Sequence, residues 1–412
     1  MAQSPFFFAR RSRRFPALCF PVRALSVPDN VTCVTVDFSG KMRYNKMLKY
    51  RGISRGKEPT MTEPNSQPDK IRTPAVGASA ANTMTATRLS RGMAPVGGER
   101  VIALGFFDGV HAAHRALLQK TVQLAEETGR EAAVFTFPTE DETLKSCVPR
   151  LYGTTDKLAL LASLGIRRTF LCPLGTVRDM TAGEFTDFLF DTLGGRVAVV
   201  GYNFRFAAGA AADADDLCRR MRDRGGDTII QPPTLYGGAP LSSTVLRRLL
   251  TDGDVRQARA LLGLPYFLSG RVEHGRGMGR TFGFPTLNLS IPEERLLPRY
   301  GVYRSAVAAD GRLFPAITNI GTCPTFGARK AHAETFLTDT GADLYGEDIR
   351  VFLLDFLRPE CTFSSENDLV SQINIDINKT KEQNTAAGEP ESLRDAVAAL
   401  GGNILWQEPG QN

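Results

Sequence analysis

Two histidines three residues apart, His111 and His114, follow an apolar run, Val101–Leu104, and a turn signal at Asp108-Gly109. If a helix begins there, both imidazoles share its first turn, where unpaired backbone N–H groups and the helix dipole favour an anion. A strand, the loop Gly105-Phe106-Phe107-Asp108 and such a helix start can hold a triphosphate. The imidazoles would then stabilise charge developing on the α-phosphorus, with no covalent nucleophile. Zinc chemistry fits less well. The Glu of a His-Glu-x-x-His motif is missing, and the chain's other histidines are His274 and His332. A His-x-x-His pair alone is as readily a packed structural pair, so its weight depends on the motifs elsewhere in the chain.

Three further stretches carry matching chemistry. Leu241–Arg248 reads LSSTVLRR, placing Ser242, Ser243 and Thr244 at a helix start and Arg247 on its first turns, a set suited to β- and γ-phosphates. Gly201–Phe206 reads GYNFRF, in which Asn203, Phe204, Arg205 and Phe206 form a candidate stacking surface for a flat ring. Gly275–Asn288 reads GRGMGRTFGFPTLN. Its Gly275, Arg276, Gly277, Gly279 and Arg280 predict a loop whose backbone approaches phosphate closely. Thr286 and Asn288, two apart on an extended segment, share one side and offer oxygen ligands to Mg²⁺. Downstream, Glu334 lies in an otherwise apolar run and is a candidate general base for an alcohol.

These residues need elements to hold them. Strand-like runs at Val101–Phe107, Ala133–Phe137, Thr169–Pro173, Val197–Gly201 and Thr228–Gln231 alternate with helical patterns at Ala113–Thr128, Thr155–Leu164, Ala182–Leu193 and Asp213–Arg224. The alternation predicts an α/β domain, a parallel sheet wrapped by helices, with ligands at the carboxyl ends of its strands. Helical stretches at Ser243–Thr251 and Asp254–Leu262 close it. From Tyr266 to Phe356 short runs follow one another without helices between them, which predicts a small antiparallel barrel or sandwich. A helix over Ser365–Lys381 comes next. The expected organisation is a disordered basic extension over 1–98, the α/β domain over 99–263, the second domain over 264–382, and a weakly ordered appendage over 383–412 with room for a short helix at Glu391–Leu400.

Composition narrows the function. The chain has 412 residues, 42% of them hydrophobic, and no apolar run long enough to span a membrane. Its net charge of +6 does not mark a nucleic-acid binder: residues 1–98 hold 16 Lys+Arg against 5 Asp+Glu, whereas the remainder holds 34 against 39. The Arg-rich, acid-poor opening is compatible with a transit peptide or with a later start at Met84 or Met93. Seven cysteines without Cys-x-x-Cys spacing predict reduced thiols in a cytoplasmic protein. Oligomeric state is not legible.

Taken in order, GFFDGVHAAH, GYNFRF, LSSTVLRR, GRGMGRTFGFPTLN, TNIGTCPTFG, AETFLTDTGADLYGEDI and FLRPECTF resemble the bacterial bifunctional riboflavin kinase/FAD synthetase family from about Val101 to Lys381. The resemblance implies a Rossmann-like nucleotidyltransferase (FMN adenylyltransferase) domain followed by a six-stranded riboflavin kinase barrel, with ATP, riboflavin and FMN as substrates and Mg²⁺ as cofactor. It also places the family's histidine motif at His111 and His114, its Ser-Ser-Thr-x-x-Arg motif at Ser242–Arg247, its Pro-Thr-x-Asn motif at Pro285–Asn288, and its catalytic carboxylate at Glu334. Three positions depart from the family: Ala113 and Ala207 stand where Gly is usual, and Pro138-Thr139-Glu140-Asp141 replaces a Pro-His-Pro segment. All three fall in the adenylyltransferase half, so the rivals are a kinase with a decayed partner domain and a non-catalytic flavin- or nucleotide-binding protein.

Overall fold

The computed structural model describes residues 32–36, 42–46, 83–141, 148–275, 283–325, 328–339, 342–387 and 391–407. Its first part comprises β1 (Thr32–Val36), β2 (Met42–Lys46), β3 (Met84–Arg88), β4 (Arg100–Leu104), α1 (Ala112–Thr128), β5 (Glu131–Thr136), α2 (Thr154–Ser163), β6 (Arg168–Leu171), α3 (Leu174–Val177), α4 (Ala182–Asp187), β7 (Gly195–Gly201), β8 (Arg205–Phe206), β9 (Ala212–Asp213), α5 (Ala214–Asp223), β10 (Asp227–Gln231), β11 (Thr234–Tyr236), β12 (Ala239–Pro240), α6 (Ser243–Asp252) and α7 (Val255–Leu262). The second comprises β13 (Phe267–Arg271), β14 (Thr286–Ser290), β15 (Gly301–Ala309), β16 (Arg312–Thr325), β17 (Ala328–Leu337), β18 (Asp348–Arg358), α8 (Glu366–Ala387), α9 (Glu391–Leu400) and β19 (Ile404–Gln407).

Strands β4 and β5 are short, apolar and buried almost throughout, as strands covered on both faces must be. They lie at the centre of a seven-stranded sheet ordered β10-β7-β4-β5-β6-β3-β19, in which every pairing is parallel. The chain runs outward from β4 through β5 to β6, then returns to the other side of β4 for β7 and β10. The strand order therefore reverses between β4 and β7, the place where such sheets open a crevice for ligands. His111 follows β4 and the GYNFRF stretch spans the end of β7.

Two expectations about the ends need correction. Residues 84–98 do not belong to a disordered extension: β3 pairs with β6, and Met84, Ala86 and Leu89 are buried. Five residues, Met-Thr-Ala-Thr-Arg, give too weak a period to read, and the neighbouring strands supply the burial. Upstream, β1 and β2 form a hairpin whose first strand pairs parallel with β11. Residues 391–407 form no loose appendage either. Helix α9 buries Leu393, Val397 and Leu400 and packs on α2, and β19 joins the first domain's sheet with Ile404 opposite Met84.

The second domain resolves the choice between barrel and sandwich. Its strands are ordered β13-β18-β15-β16-β17-β14 with every pairing antiparallel. A bridge between Glu273 and Asn288, with the Glu273 N–H donating to the Asn288 carbonyl at 2.9 Å, brings the two ends of the sheet together. This is a nearly closed six-stranded barrel.

The domains share one apolar core rather than touching at a surface. Tyr152 packs on Tyr266 and Phe267, with ring centroids 5.5 and 4.8 Å apart. Among the described residues no helix is long and apolar enough to cross a membrane.

Candidate active sites

The loop from β4 to α1 is held in an uncommon conformation. Phe107 and Val110 have φ of 52° and 43°, strained for non-glycine residues and most of all for a β-branched one. Asp108 is buried and anchors this loop: its Oδ1 accepts the Leu151 N–H at 3.0 Å and its Oδ2 pairs with Arg247. Expected among the phosphate-binding residues, Asp108 is thus engaged by a backbone amide and a guanidinium. Burial pushes its carboxyl upward, and the Arg247 charge opposes that shift.

His111 caps α1 without a side-chain cap bond, and its ring stacks on His114 with centroids 3.8 Å apart. Neither Nδ1 atom has a protein partner among the described residues. Burial, with Arg247 nearby, lowers the His111 imidazole to about 4. Burial and the neighbouring imidazole hold His114 well below its ordinary value. Both rings are therefore neutral near pH 7, able to donate one hydrogen bond each without carrying charge.

A second helix start meets the first. Ser242 caps α6 without a side-chain cap bond, and Ser243 Oγ donates to the Asp108 carbonyl at 2.8 Å. Ser242 and Thr244 are left exposed beside it. Arg247, whose Nε donates to the Pro149 carbonyl at 2.9 Å, completes a cluster of donors around two uncapped helix N-termini.

The GYNFRF stretch divides. Phe206 is buried against Phe185, whereas Asn203 and Arg205 are exposed and Phe204 stacks half-buried on Phe206 at 5.8 Å. Tyr202 is exposed and Phe204 half-buried, so both rings of this stretch keep an open face, and Arg205 pairs with Asp213 at 3.6 Å. Ala207, one of the departures from the family pattern, has φ 67° and ψ 171°, a region that glycine occupies freely and alanine does not. The segment replacing Pro-His-Pro also has a role. Glu140 accepts the Thr154 N–H at the start of α2 (2.9 Å), and Asp141 accepts the Leu174 N–H at the start of α3 (2.6 Å).

One residue of this site belongs to no motif. Lys157 on α2 is buried, and its Nζ donates to the Phe137 carbonyl at 2.6 Å and the Phe106 carbonyl at 3.4 Å. It thereby ties the histidine loop to the segment after β5. Burial lowers its ammonium to about 8. The signal in the sequence is a lone lysine among Leu158, Leu160 and Leu161 on a helix whose face is otherwise core.

In the barrel, Leu287 and Leu289 of β14 point into the core, so Thr286, Asn288 and Ser290 lie on the opposite face. Asn288 is register partner to Glu334 of β17, and Glu334 in turn to Asn319 of β16. The three candidate residues Thr286, Asn288 and Glu334 are therefore brought together. Gly275 lies so close that a Cβ there would collide with the Asn288 carboxamide, and Tyr345 donates its hydroxyl to the Thr286 carbonyl at 3.1 Å. Arg276, Gly277, Gly279 and Arg280 lie outside the described residues. Beyond Glu334 on the same face, Phe336 meets Phe284 at 5.4 Å in an apolar cluster with Ile317 and with Ile373 and Ile377 of α8.

Comparison with known proteins agrees with this division. Residues 95–245 match the family described as FAD synthetase, and residues 262–384 the one described as riboflavin kinase. The bifunctional riboflavin kinase/FMN adenylyltransferase of Listeria monocytogenes is 31% identical over 68% of this chain and 91% of that protein. Its Escherichia coli counterpart is 36% identical over 66% of this chain and 89% of that protein. A crystal structure from Streptococcus pneumoniae, described as a macrolide-efflux protein, shares the fold with a TM-score of 0.64 and 27% identity, covering 72% of this chain and 98% of that one. With both domains present in order and the relatives matched over nearly their whole length, the chain belongs to the bifunctional riboflavin kinase/FMN adenylyltransferase family.

Proposed function

We propose that the family's two reactions occur in these two clusters, one per domain. Riboflavin and ATP give FMN and ADP around Glu334; FMN and ATP give FAD and pyrophosphate around His111 and His114. The observation that supports this reading is that the motif residues gather into two separate sites, each with the donors its reaction needs.

On the barrel, Glu334 would take the proton of riboflavin's terminal hydroxyl as the γ-phosphoryl group transfers. The cluster of Phe284, Ile317, Phe336, Ile373 and Ile377 suits the flat flavin ring. Thr286 and Asn288 fit Mg²⁺, since they are neutral oxygen donors on one strand face beneath a glycine backbone. When bound with ATP, that ion neutralises phosphate charge. In the α/β domain, the helix starts, Ser242, Thr244 and Arg247 would orient the triphosphate, and the neutral imidazoles would donate to the α-phosphate. Phe204, with Asn203 and Arg205, is the flavin contact. The free thiols of Cys172, Cys218 and Cys361 support a reducing, cytoplasmic setting.

Product analysis with riboflavin and ATP, then with FMN and ATP, tests the assignment. Glu334→Gln should lower FMN formation by about 10²–10⁴-fold, the usual worth of general-base catalysis, and spare FAD formation. His114→Ala should do the reverse. Loss of both activities in either single variant, with the fold intact, would refute the separation of sites.

A further inference from the structure

We propose that His332 is a positioning residue for the kinase reaction, holding one oxygen of the Glu334 carboxylate so that the other faces the riboflavin hydroxyl. The proposal rests on the reading of Glu334 as the base.

His332 and Glu334 are two apart on β17 and so share a face. The His332 Nε2 atom lies 3.2 Å from Glu334 Oε1. In a contact between these two atoms the imidazole Nε2–H would be the donor and the carboxylate oxygen the acceptor. Register fixes the rest of the setting. The row Asn288–Glu334–Asn319 crosses three strands, and the row Ser290–His332–Gly321 crosses the same strands one step along. In the second row, Ser290 Oγ is turned toward Glu273, to which it donates at 2.8 Å. Gly321 has no side chain, and the Glu360 carboxylate occupies the space above it. His332 is thus the side chain of that row which reaches the base.

The consequence is directional. Glu334 has two rotatable oxygens and a side chain 43% exposed, so without a fixed partner it would sample several orientations. A donor on Oε1 restricts that sampling and leaves Oε2 for the incoming hydroxyl. Such preorganisation acts on turnover more than on substrate affinity.

The test uses the full chain with steady-state FMN formation. His332→Ala should lower kcat about ten-fold, in the range of a lost hydrogen bond to a charged group, with riboflavin KM nearly unchanged. His332→Gln, whose amide can donate from a similar position, should recover most of the loss. In a Glu334→Gln background, His332→Ala should add little, because the group it positions is already gone. FAD formation from supplied FMN and the thermal midpoint report folding of each variant. An equal ten-fold loss in the Glu334→Gln background, a change confined to KM, or an undiminished kcat in His332→Ala would overturn the role of His332 and leave the base reading standing. Near-normal turnover of Glu334→Gln alone would remove the base reading, and this proposal with it.

Discussion

Asp156 of the first domain and Arg295 of the second lie 3.2 Å apart, and the side chain of each is under a tenth exposed. The same carboxylate also receives the Ser269 hydroxyl and lies 3.6 Å from the Arg350 guanidinium, so one acidic residue of α2 holds three elements of the barrel domain. Removing one partner of a buried pair leaves an uncompensated charge, typically a loss of about 3–5 kcal/mol. Asp156→Ala should show that loss in denaturant unfolding. A stability within about 0.5 kcal/mol of the parent, the scatter of ordinary surface changes, would mean the tyrosine rings and the Phe267 carbonyl suffice to hold Arg295.

The next residue faces the other way. Lys157 binds one carbonyl of the histidine loop and one of the segment after β5. Lys157→Met keeps the length and loses the charged donor, a change of about 1.5–3 kcal/mol for such bonds. FAD formation should fall about ten-fold or more while FMN formation is retained. Equal retention of both would show that the histidine loop keeps its shape without this tie.

Neutral buried imidazoles make the α/β domain acid-sensitive. His111 is lowered from 6.5 to about 4, so between those values the unfolded chain binds a proton that the folded one does not. Stability is therefore fully present above pH about 6.5 and declines as pH falls toward 4. His114 shifts in the same direction and adds to the slope. Thermal midpoints followed from pH 7 to pH 4 should fall, and less steeply in His111→Gln. An identical slope in that variant would place the acid sensitivity elsewhere.

Ala207 occupies backbone geometry that suits glycine. Ala207→Gly should relieve about 1–3 kcal/mol of local strain, less the entropy glycine adds to the unfolded chain. The net expectation is a modest rise in unfolding midpoint. A fall would show that the alanine methyl's packing in the neighbouring core outweighs the strain.

A chain begun at Thr83 keeps β3; one begun at Met93 loses it. The first should fold and catalyse both reactions, whereas the second exposes the edge of β6 and strips β19 of its partner. Limited proteolysis of the two chains distinguishes them. Equal protection would show that β3 is dispensable.

Much of the architecture is legible in the sequence because the motifs carry their own geometry. The Gly-rich turn and paired histidines locate the first helix start, and the Thr-x-Asn spacing announces a common face that β14 confirms. What stays hidden depends on partners distant in sequence. Strand β3 has no period of its own, and β19 finds its place only against it. Lys157 carries no motif; its meaning comes from carbonyls twenty and fifty-one residues away. Asp108 belongs to the right loop, but its pairing with Arg247 needs two remote segments to meet.

The place of β19 bears on how the protein comes into being. The outermost strand of the first sheet is supplied by residues 404–407, after the whole barrel has been spelled out. During synthesis, β3 therefore waits with its outer edge unpaired while the ribosome makes the second domain. Open parallel edges are where nascent chains associate wrongly, so a segment made only after the barrel covers an edge that has stood open throughout the barrel's synthesis.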